Sequence, residues 1–191
     1  MPVTIKRSSR PGPVLEPEVL GNLEAIDQCQ QLVTQVSDED YGRSLQPYVQ
    51  SSIGEHVRHV LDVYHALMTG SDGDLVDYNQ KRRGSDIETN RRVALAEIDR
   101  IRQWLRNLDR RALVSVCTVR SELTLQGRNI SDIESSLRRE LVFAASHVIH
   151  HSALIGVCAR LCNLPTDELF GVAPATASYW REQGRLASID D

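Results

Sequence analysis

The sequence predicts an all-α protein in which four helices form one bundle. Four segments of roughly 17 to 28 residues carry apolar side chains at helical spacing. The connections between them are long, and short strands do not alternate with helices as they do in α/β folds. Because each amphipathic helix must bury its apolar face, four such helices are expected to pack around one core.

Length and composition fit a single domain of that kind. The chain has 191 residues, of which 41% are hydrophobic and 25% are charged, and a domain of this size can bury a substantial core. We expect a flexible N-terminal arm over residues 1–16, the bundle over residues 17–165, and a C-terminal tail over residues 166–191 that packs on the bundle. Within the tail, residues 173–176 predict a turn beside a short terminal helix.

Charge and targeting signals exclude several classes of partner. The net charge of −4, without any long basic run, argues against a nucleic-acid partner. No apolar stretch approaches the ~20 residues of a membrane span, and the N-terminus lacks the apolar segment of a signal peptide. The four cysteines form no C-x-x-C pattern and are typical of free thiols in a reducing compartment. We therefore expect no membrane partner and a cytoplasmic location.

The first two helices have recognisable boundaries. Residues 17–36 form the first helix, and the polar residues 37–48 that follow predict turns. The second helix covers residues 52–68 and begins with a capping box made by Ser52 and Glu55. In a capping box the serine hydroxyl accepts from an unpaired N–H of the first turn, and the glutamate accepts from the N–H of the cap residue.

A long connection separates the third and fourth helices. The third is predicted from Ser85, again with a glutamate three residues later, to about residue 108. Residues 112–126 are rich in β-branched side chains and predict an extended segment or a short β-hairpin. The fourth helix is predicted to start between residues 131 and 136 and to end near residue 162, just before a proline stops it.

The fourth helix carries three of the six histidines within residues 147–151. At 100° per residue, His147 and His151 lie one turn apart on the inward face, and Glu140 lies on the same face two turns earlier. His150 lies at the edge of that face. An H-x-x-x-H pair on a buried face can offer two nitrogens to one metal ion, although such pairs also arise by chance.

The second helix carries the other three histidines, and two of them bear on the same question. Helical phase points His56 squarely inward and places His59 at the border of the inward face. A buried imidazole without a hydrogen-bond or metal partner is costly. Inward-facing histidines on both helices are therefore expected to have partners of one of two kinds. Either the histidines form hydrogen bonds with Glu140 and backbone carbonyls, or three of them hold a metal ion between the two helices.

Two motifs resemble the DinB-like (DinB/YfiT) superfamily of metal-dependent enzymes. SIGEHVRHV, residues 52–60, resembles the entry to that family's second helix, and HVIHHSALI, residues 147–155, resembles the H-x-x-x-H of its last helix. The likeness covers roughly residues 17 to 165. It implies an up-down-down-up four-helix bundle, here with the long connection between the third and fourth helices.

The resemblance also implies a metal triad of His59, His147 and His151. Its spacing selects His59, whereas helical phase alone favours His56, which then becomes a neighbour of the site or faces the substrate. His150 and Glu140 are further candidates for a neighbour of the metal site. The alternative role of Glu140 is an ion pair with an arginine. The catalytic residue itself stays unassigned, because a metal-bound water or thiol would take that role.

The resemblance implies a function of a general kind. Three histidines would hold a divalent transition metal that activates a thiol or water. Zinc or nickel is expected first, and iron or cobalt next. The reaction would be thiol S-transfer or hydrolysis of a small molecule, with a low-molecular-weight thiol as one expected partner and a homodimer as the expected assembly. The alternative is a non-catalytic metal-binding bundle that acts through a protein partner.

Two charged segments complete the set of candidates. Arg58 and Asp62 flank His59 and are expected to lie on a solvated helix edge, the alternative being that they line the mouth of a pocket. The loop over residues 77–83 contains consecutive arginines. One hypothesis is that this loop folds over the end of the bundle and contributes an anion-binding group, and the alternative is an ordinary surface loop.

Overall fold

The computed structural model describes residues 15–73 and 75–187. This part of the chain is mostly helical, as predicted, and it also includes a small three-stranded sheet, which the all-α prediction does not contain. Its elements follow one another as α1 (Pro17–Gln35), α2 (Asp38–Gly42), α3 (Ile53–Gly73), β1 (Leu75–Asp77), a 3₁₀ turn (Asp86–Glu88), α4 (Arg91–Asn107), α5 (Arg110–Leu113), β2 (Val116–Glu122), β3 (Ile130–Ser136), α6 (Leu137–Leu161) and α7 (Pro174–Glu182).

The four long helices are the four that the sequence predicts. They are α1, α3, α4 and α6, and each of them contacts two of the others, so that the contacts close a ring. One apolar core fills the space between them, because each helix turns its apolar face inward. Most of the predicted N-terminal arm, residues 1–14, lies outside the described residues.

The start of α3 is the predicted capping box. The Ser52 hydroxyl accepts from the Glu55 N–H at 3.1 Å, and the Glu55 carboxylate accepts from the Ser52 N–H at 2.7 Å. The predicted end near residue 68 is too early, since the helix continues to Gly73. Gly70 lies against β1 with no room for a side chain, so packing on the strand holds this last part of the helix.

The predicted start of α4 is wrong by about one and a half turns. Ser85 precedes only the short 3₁₀ turn, and its side chain does not cap it. The α-helix itself begins after Asn90, whose side chain accepts from the Arg92 N–H at 3.1 Å. Asparagine is among the strongest capping residues, and here it prevails over the serine that starts an apparent capping box.

The extended segment predicted over residues 112–126 is in part correct, since it contains β2, but its first residues belong to α5. The strand that completes the hairpin, β3, lies beyond the predicted segment, and the hairpin belongs to a three-stranded sheet. Strand β2 pairs antiparallel with β3 and parallel with β1. Residues 131–136, where the start of the fourth helix is predicted, are instead part of β3. The helix begins at Leu137, and the Ser136 hydroxyl caps it by accepting from the Arg139 N–H at 3.3 Å.

The C-terminal segment contains the predicted short helix, α7. Residues 173–176, predicted as a turn, are its start, because Pro174 occupies the first helical turn, where its missing N–H is not needed. Before α7, Phe170 packs against the core, and the Gly171 N–H donates to the Gln28 side chain of α1 at 3.0 Å.

Helix α6 is long and apolar enough to cross a membrane when judged by length and composition alone. By that criterion the expectation that no segment qualifies is wrong. The core helix of a globular protein passes the same test, and α6 packs against both α1 and α3. It also carries three histidines near its middle, which are costly in a bilayer.

Candidate metal centre

Helices α3 and α6 bring three histidines together where they pack against each other. His59 extends from the second turn of α3, and His147 and His151 extend from successive turns of α6. The Nε2 atoms of His59 and His147 are 3.1 Å apart. The His151 ring lies 4.5 Å from each of the other two, measured between ring centroids.

The geometry of this cluster fits a metal ion. One ligand nitrogen from each of the three residues can be chosen so that all lie within 4.8 Å of one another. Ligand nitrogens at about 2.1 Å from one ion are separated by about 2.9 to 3.4 Å, and the His59–His147 pair already meets that spacing. A three-imidazole set also leaves a coordination position for another ligand.

The protonation of the cluster favours metal binding as well. Burial, with help from nearby Lys81, lowers the pKa of His59 to about 4. Burial and the neighbouring imidazoles lower the pKa of His151 to about 3, and burial lowers the pKa of His147. All three rings are therefore neutral near neutral pH, and each has a lone pair available for a metal.

Two further histidines, His56 and His150, lie beside this cluster but outside it. His56 Nδ1 is 3.4 Å from His151 Nδ1, while its Nε2 is buried without a hydrogen-bond partner among the described residues. The structure thus groups His59, not His56, with the α6 pair, and His56 contacts that pair through His151. His150 is exposed, with its ring centroid 5.4 Å from that of His151. His65 is exposed.

Glu140 is fully buried, but its hydrogen bonds do not go to a histidine. Its carboxylate accepts from the Tyr78 hydroxyl at 2.8 Å, the Ser135 hydroxyl at 2.6 Å and the Arg139 guanidinium at 2.9 Å. The arginine ion pair is therefore the alternative that the structure contains. Through Tyr78, Glu140 fixes one wall of the space beside the histidines.

That space is a cavity of about 590 Å³. His59 and His147 open into it, so a ligand there lies next to the cluster. A volume of this size suits a small molecule. Its remaining lining residues come from α3, α6, the loop after β1 and the end of β2: Val63, Tyr78, Asn79, Lys81, Arg83, Ser121, Glu122 and Phe143.

A second groove of about 700 Å³ is larger but lies away from the cluster. Only His150, of the six histidines, lines it, and the other walls come mainly from α1, α6 and the segment around Pro174. Because the metal-binding nitrogens do not reach this groove, size alone does not mark the functional site. The smaller cavity is the one that borders the metal-binding histidines His59 and His147.

An ion-pair network holds the loop that closes this cavity. Asp62 is 3% exposed, and it accepts from Arg58 at 3.0 Å and from Arg82 at 2.7 Å. Arg58 also pairs with Glu88, and Arg82 also pairs with Glu97 on α4. The expectation that Arg58 and Asp62 lie on a solvated edge is wrong, because the loop folds back over them.

The sequence predicts part of the cavity lining but not its lysine. Tyr78 and Arg83 belong to the loop predicted as a candidate anion site, and both line the cavity. Lys81, between them in the sequence, is half-buried there. One signal could have found it, since only two of the chain's 22 basic residues are lysines and the other lies in the N-terminal arm.

Fold and site together define a class of protein. A mostly helical chain with three imidazoles at metal-binding distance, beside a ligand-sized cavity, is compatible with a metal-dependent enzyme. The sequence pattern of the DinB superfamily matches residues 23–155. The chain belongs to this superfamily, and the resemblance seen in the two histidine motifs is confirmed.

A relative among curated proteins adds little about function. FK506-binding protein 5 of Rhizopus delemar is 26% identical over 110 residues, which are 57% of this chain and 28% of that protein. The chain thus spans little more than a quarter of the relative's length. No solved structure matches the chain.

Proposed function

We propose that this protein is a metal-dependent enzyme in which His59, His147 and His151 hold one divalent transition-metal ion. The observation that carries the proposal is the convergence of three neutral imidazoles beside a cavity of ligand size. All-imidazole ligation suits zinc or nickel, and also iron or cobalt, rather than magnesium or calcium. The reaction we favour is thiol S-transfer, with hydrolysis of a small molecule as the other reaction of the same class.

When bound, such an ion lowers the pKa of a thiol or water and supplies a nucleophile near neutral pH. The chain's own residues position the reactants. Tyr78, held by Glu140 at 2.8 Å, and Phe143 form one wall of the cavity. His56 contacts His151 and can fix its ring orientation, as hydrogen-bonded neighbours of metal ligands commonly do.

We further propose that the four long helices run in the up-down-down-up order of the superfamily. The closed ring of contacts among α1, α3, α4 and α6 supports this order. A reducing, cytoplasmic environment is also proposed, since the cysteines Cys29, Cys158 and Cys162 are buried as thiols in the core.

The metal site is tested by metal content. Purified without a histidine tag, the wild-type protein is expected to bind about one equivalent of zinc or nickel. His59→Ala, His147→Ala and His151→Ala are each expected to bind it at least about tenfold more weakly, because a two-imidazole site is incomplete. His65→Ala, which removes an exposed histidine of α3, is the control. Stoichiometric, tight metal in all three triad variants would contradict the site.

Catalysis is tested separately from metal binding. The metal-loaded protein is incubated with small thiols and a chromogenic electrophile, and consumption of the electrophile is followed. We expect turnover that requires both the thiol and the metal. A protein that holds its metal but neither binds thiols nor turns over would instead be the non-catalytic bundle that acts through a protein partner.

A further inference from the structure

Two cationic side chains line the cavity beside the three histidines, and neither is in a direct ion pair with a carboxylate among the described residues. Lys81 and Arg83 both line it. In the part of the chain that the structure describes, neither of them forms a salt bridge. Lys81 is half-buried. Burial lowers the pKa of its ammonium, and the nearby charges of Asp62 and Asp77 offset this only in part. A ligand with a negative charge would offset the remainder.

Arg82, which lies between Lys81 and Arg83 in the sequence, has a structural role rather than a place in the cavity lining. Arg82 turns away from the cavity and pairs with Asp62 and Glu97, each at 2.7 Å. These two carboxylates, one of them nearly inaccessible to solvent, are thus occupied by a structural arginine. Lys81 and Arg83 instead line the cavity beside the histidines.

The charge balance of the cavity is positive. One carboxylate, Glu122, lines it, and its side chain forms no salt bridge with Lys81 or Arg83 among the described residues. Lys81, His59 and His147 line the same cavity, so the ammonium lies near the cluster. Among the lining residues two cations stand against one carboxylate, which favours an anionic ligand.

We propose that the small molecule bound in this cavity carries a carboxylate or phosphate group that the Lys81 ammonium and the Arg83 guanidinium bind together. This inference rests on the proposed function, because the reacting end of the same molecule would lie at the triad. Both cations suit such a group, the guanidinium as a planar fork and the ammonium as a point charge. Val63 and Phe143 provide apolar contacts for a short stem between the two ends.

The anion site is tested first without any metal. Full-length metal-free protein is titrated with inorganic phosphate by calorimetry at about pH 8, where the imidazoles are neutral. Lys81→Gln and Arg83→Gln are each expected to weaken phosphate binding about tenfold, since each removes a charged hydrogen bond. Glu122→Gln is expected to strengthen it. Arg100→Gln, at an exposed arginine of α4, is the control. Equal affinities in all these proteins would overturn the proposal.

The substrate class is tested next with the zinc-loaded protein and three thiols of similar size. Mercaptoacetate is anionic, 2-mercaptoethanol is neutral and cysteamine is cationic. We expect mercaptoacetate to bind about tenfold more tightly than 2-mercaptoethanol, and cysteamine to bind most weakly. Lys81→Gln should remove this preference by weakening the binding of mercaptoacetate, whereas the control Arg100→Gln should keep it. A preference that is absent in the wild type, or that persists in Lys81→Gln, would overturn the inference.

The two experiments separate this inference from the proposed function. If no thiol of any charge binds the zinc-loaded protein, thiol transfer fails. A phosphate affinity that still distinguishes Lys81→Gln from Arg100→Gln would nevertheless support the anion site. If thiols bind irrespective of charge, thiol chemistry stands and the anion site fails.

Discussion

At the scale of the residue, the choice between His56 and His59 shows what helical phase can and cannot decide. Phase gives the direction of a side chain relative to its own helix, and by that measure His56 points more squarely inward. The position of α6 decides which side of α3 meets the α6 histidines. Because α6 packs toward the His59 side, His59 approaches His147 within 3.1 Å, and His56 reaches only His151.

The buried imidazoles predict how the stability of the metal-free protein depends on pH. In the unfolded chain His151 titrates near 6.5, whereas its pKa in the fold is about 3. Below pH 6.5 the unfolded chain therefore binds more protons than the folded one, and the free energy of unfolding falls as the pH falls. The stability that comes from the neutral His151 imidazole is fully present above about pH 6.5. It is lost progressively as the pH falls from there to about 3, the pKa of His151 in the fold.

Urea unfolding of metal-free protein at several values between about pH 7.5 and about pH 5 measures this effect. We expect the urea midpoint of His151→Gln to fall less steeply with decreasing pH than that of the wild type. His65→Gln, at an exposed position, should follow the wild type. Identical slopes for the wild type and His151→Gln would show that the imidazole is not held neutral by the fold.

At the scale of the element, the S-I-G motif has a packing reason. Ser52 caps α3, Ile53 is fully buried, and Gly54 lies against the 3₁₀ turn. A Cβ at Gly54 would overlap the carbonyl of Glu88 and crowd the Tyr41 ring. The glycine therefore lets the 3₁₀ turn approach the start of the helix that carries His59.

Gly54→Ala is accordingly expected to lower the free energy of unfolding by about 1 to 3 kcal/mol, as overpacking of a tight contact does. Gly21→Ala is the matched control, because it is also a helical glycine but has open space around its Cβ position. That change should raise stability by about 0.5 to 1 kcal/mol, since alanine is the better helix former. Chemical denaturation measures both, and a neutral Gly54→Ala would refute the close contact.

At the scale of the whole molecule, the Asp62 network links elements that lie apart in the sequence. It joins α3 to the loop through Arg82, to the 3₁₀ turn through the Arg58–Glu88 pair, and to α4 through Glu97. The same network sets the course of the loop, and so places Lys81 and Arg83 on the cavity. Stability and the shape of the site therefore depend on one buried carboxylate.

Asp62→Ala is expected to lower the free energy of unfolding by about 3 to 5 kcal/mol, because it leaves two arginines without their buried partner. Asp99→Ala, which breaks the ion pair of an exposed aspartate with Arg102, should change it little. Thermal or urea unfolding of the two variants compares them directly. Similar stabilities for the two variants would show that the buried network does not hold the fold together.

Much of this architecture could be predicted because it depends on local physics. The four long helices follow from apolar periodicity, the start of α3 follows from the Ser52–Glu55 capping box, and strand β2 follows from a β-branched segment. The errors occur where two local signals compete. Ser85 and Asn90 are both good caps, and residues 131–136, predicted as the start of the fourth helix, form the strand that pairs with β2.

The sequence by itself determined the helical class, the superfamily motifs and the presence of His147 and His151 one turn apart on one helix face. These depend on spacing along a single element, which the chain alone encodes. Only the tertiary structure decided that His59 rather than His56 meets them, that Arg58 and Asp62 are buried, and that Lys81 faces the cavity. The physical reason is that each of these outcomes depends on which face of one element another element covers.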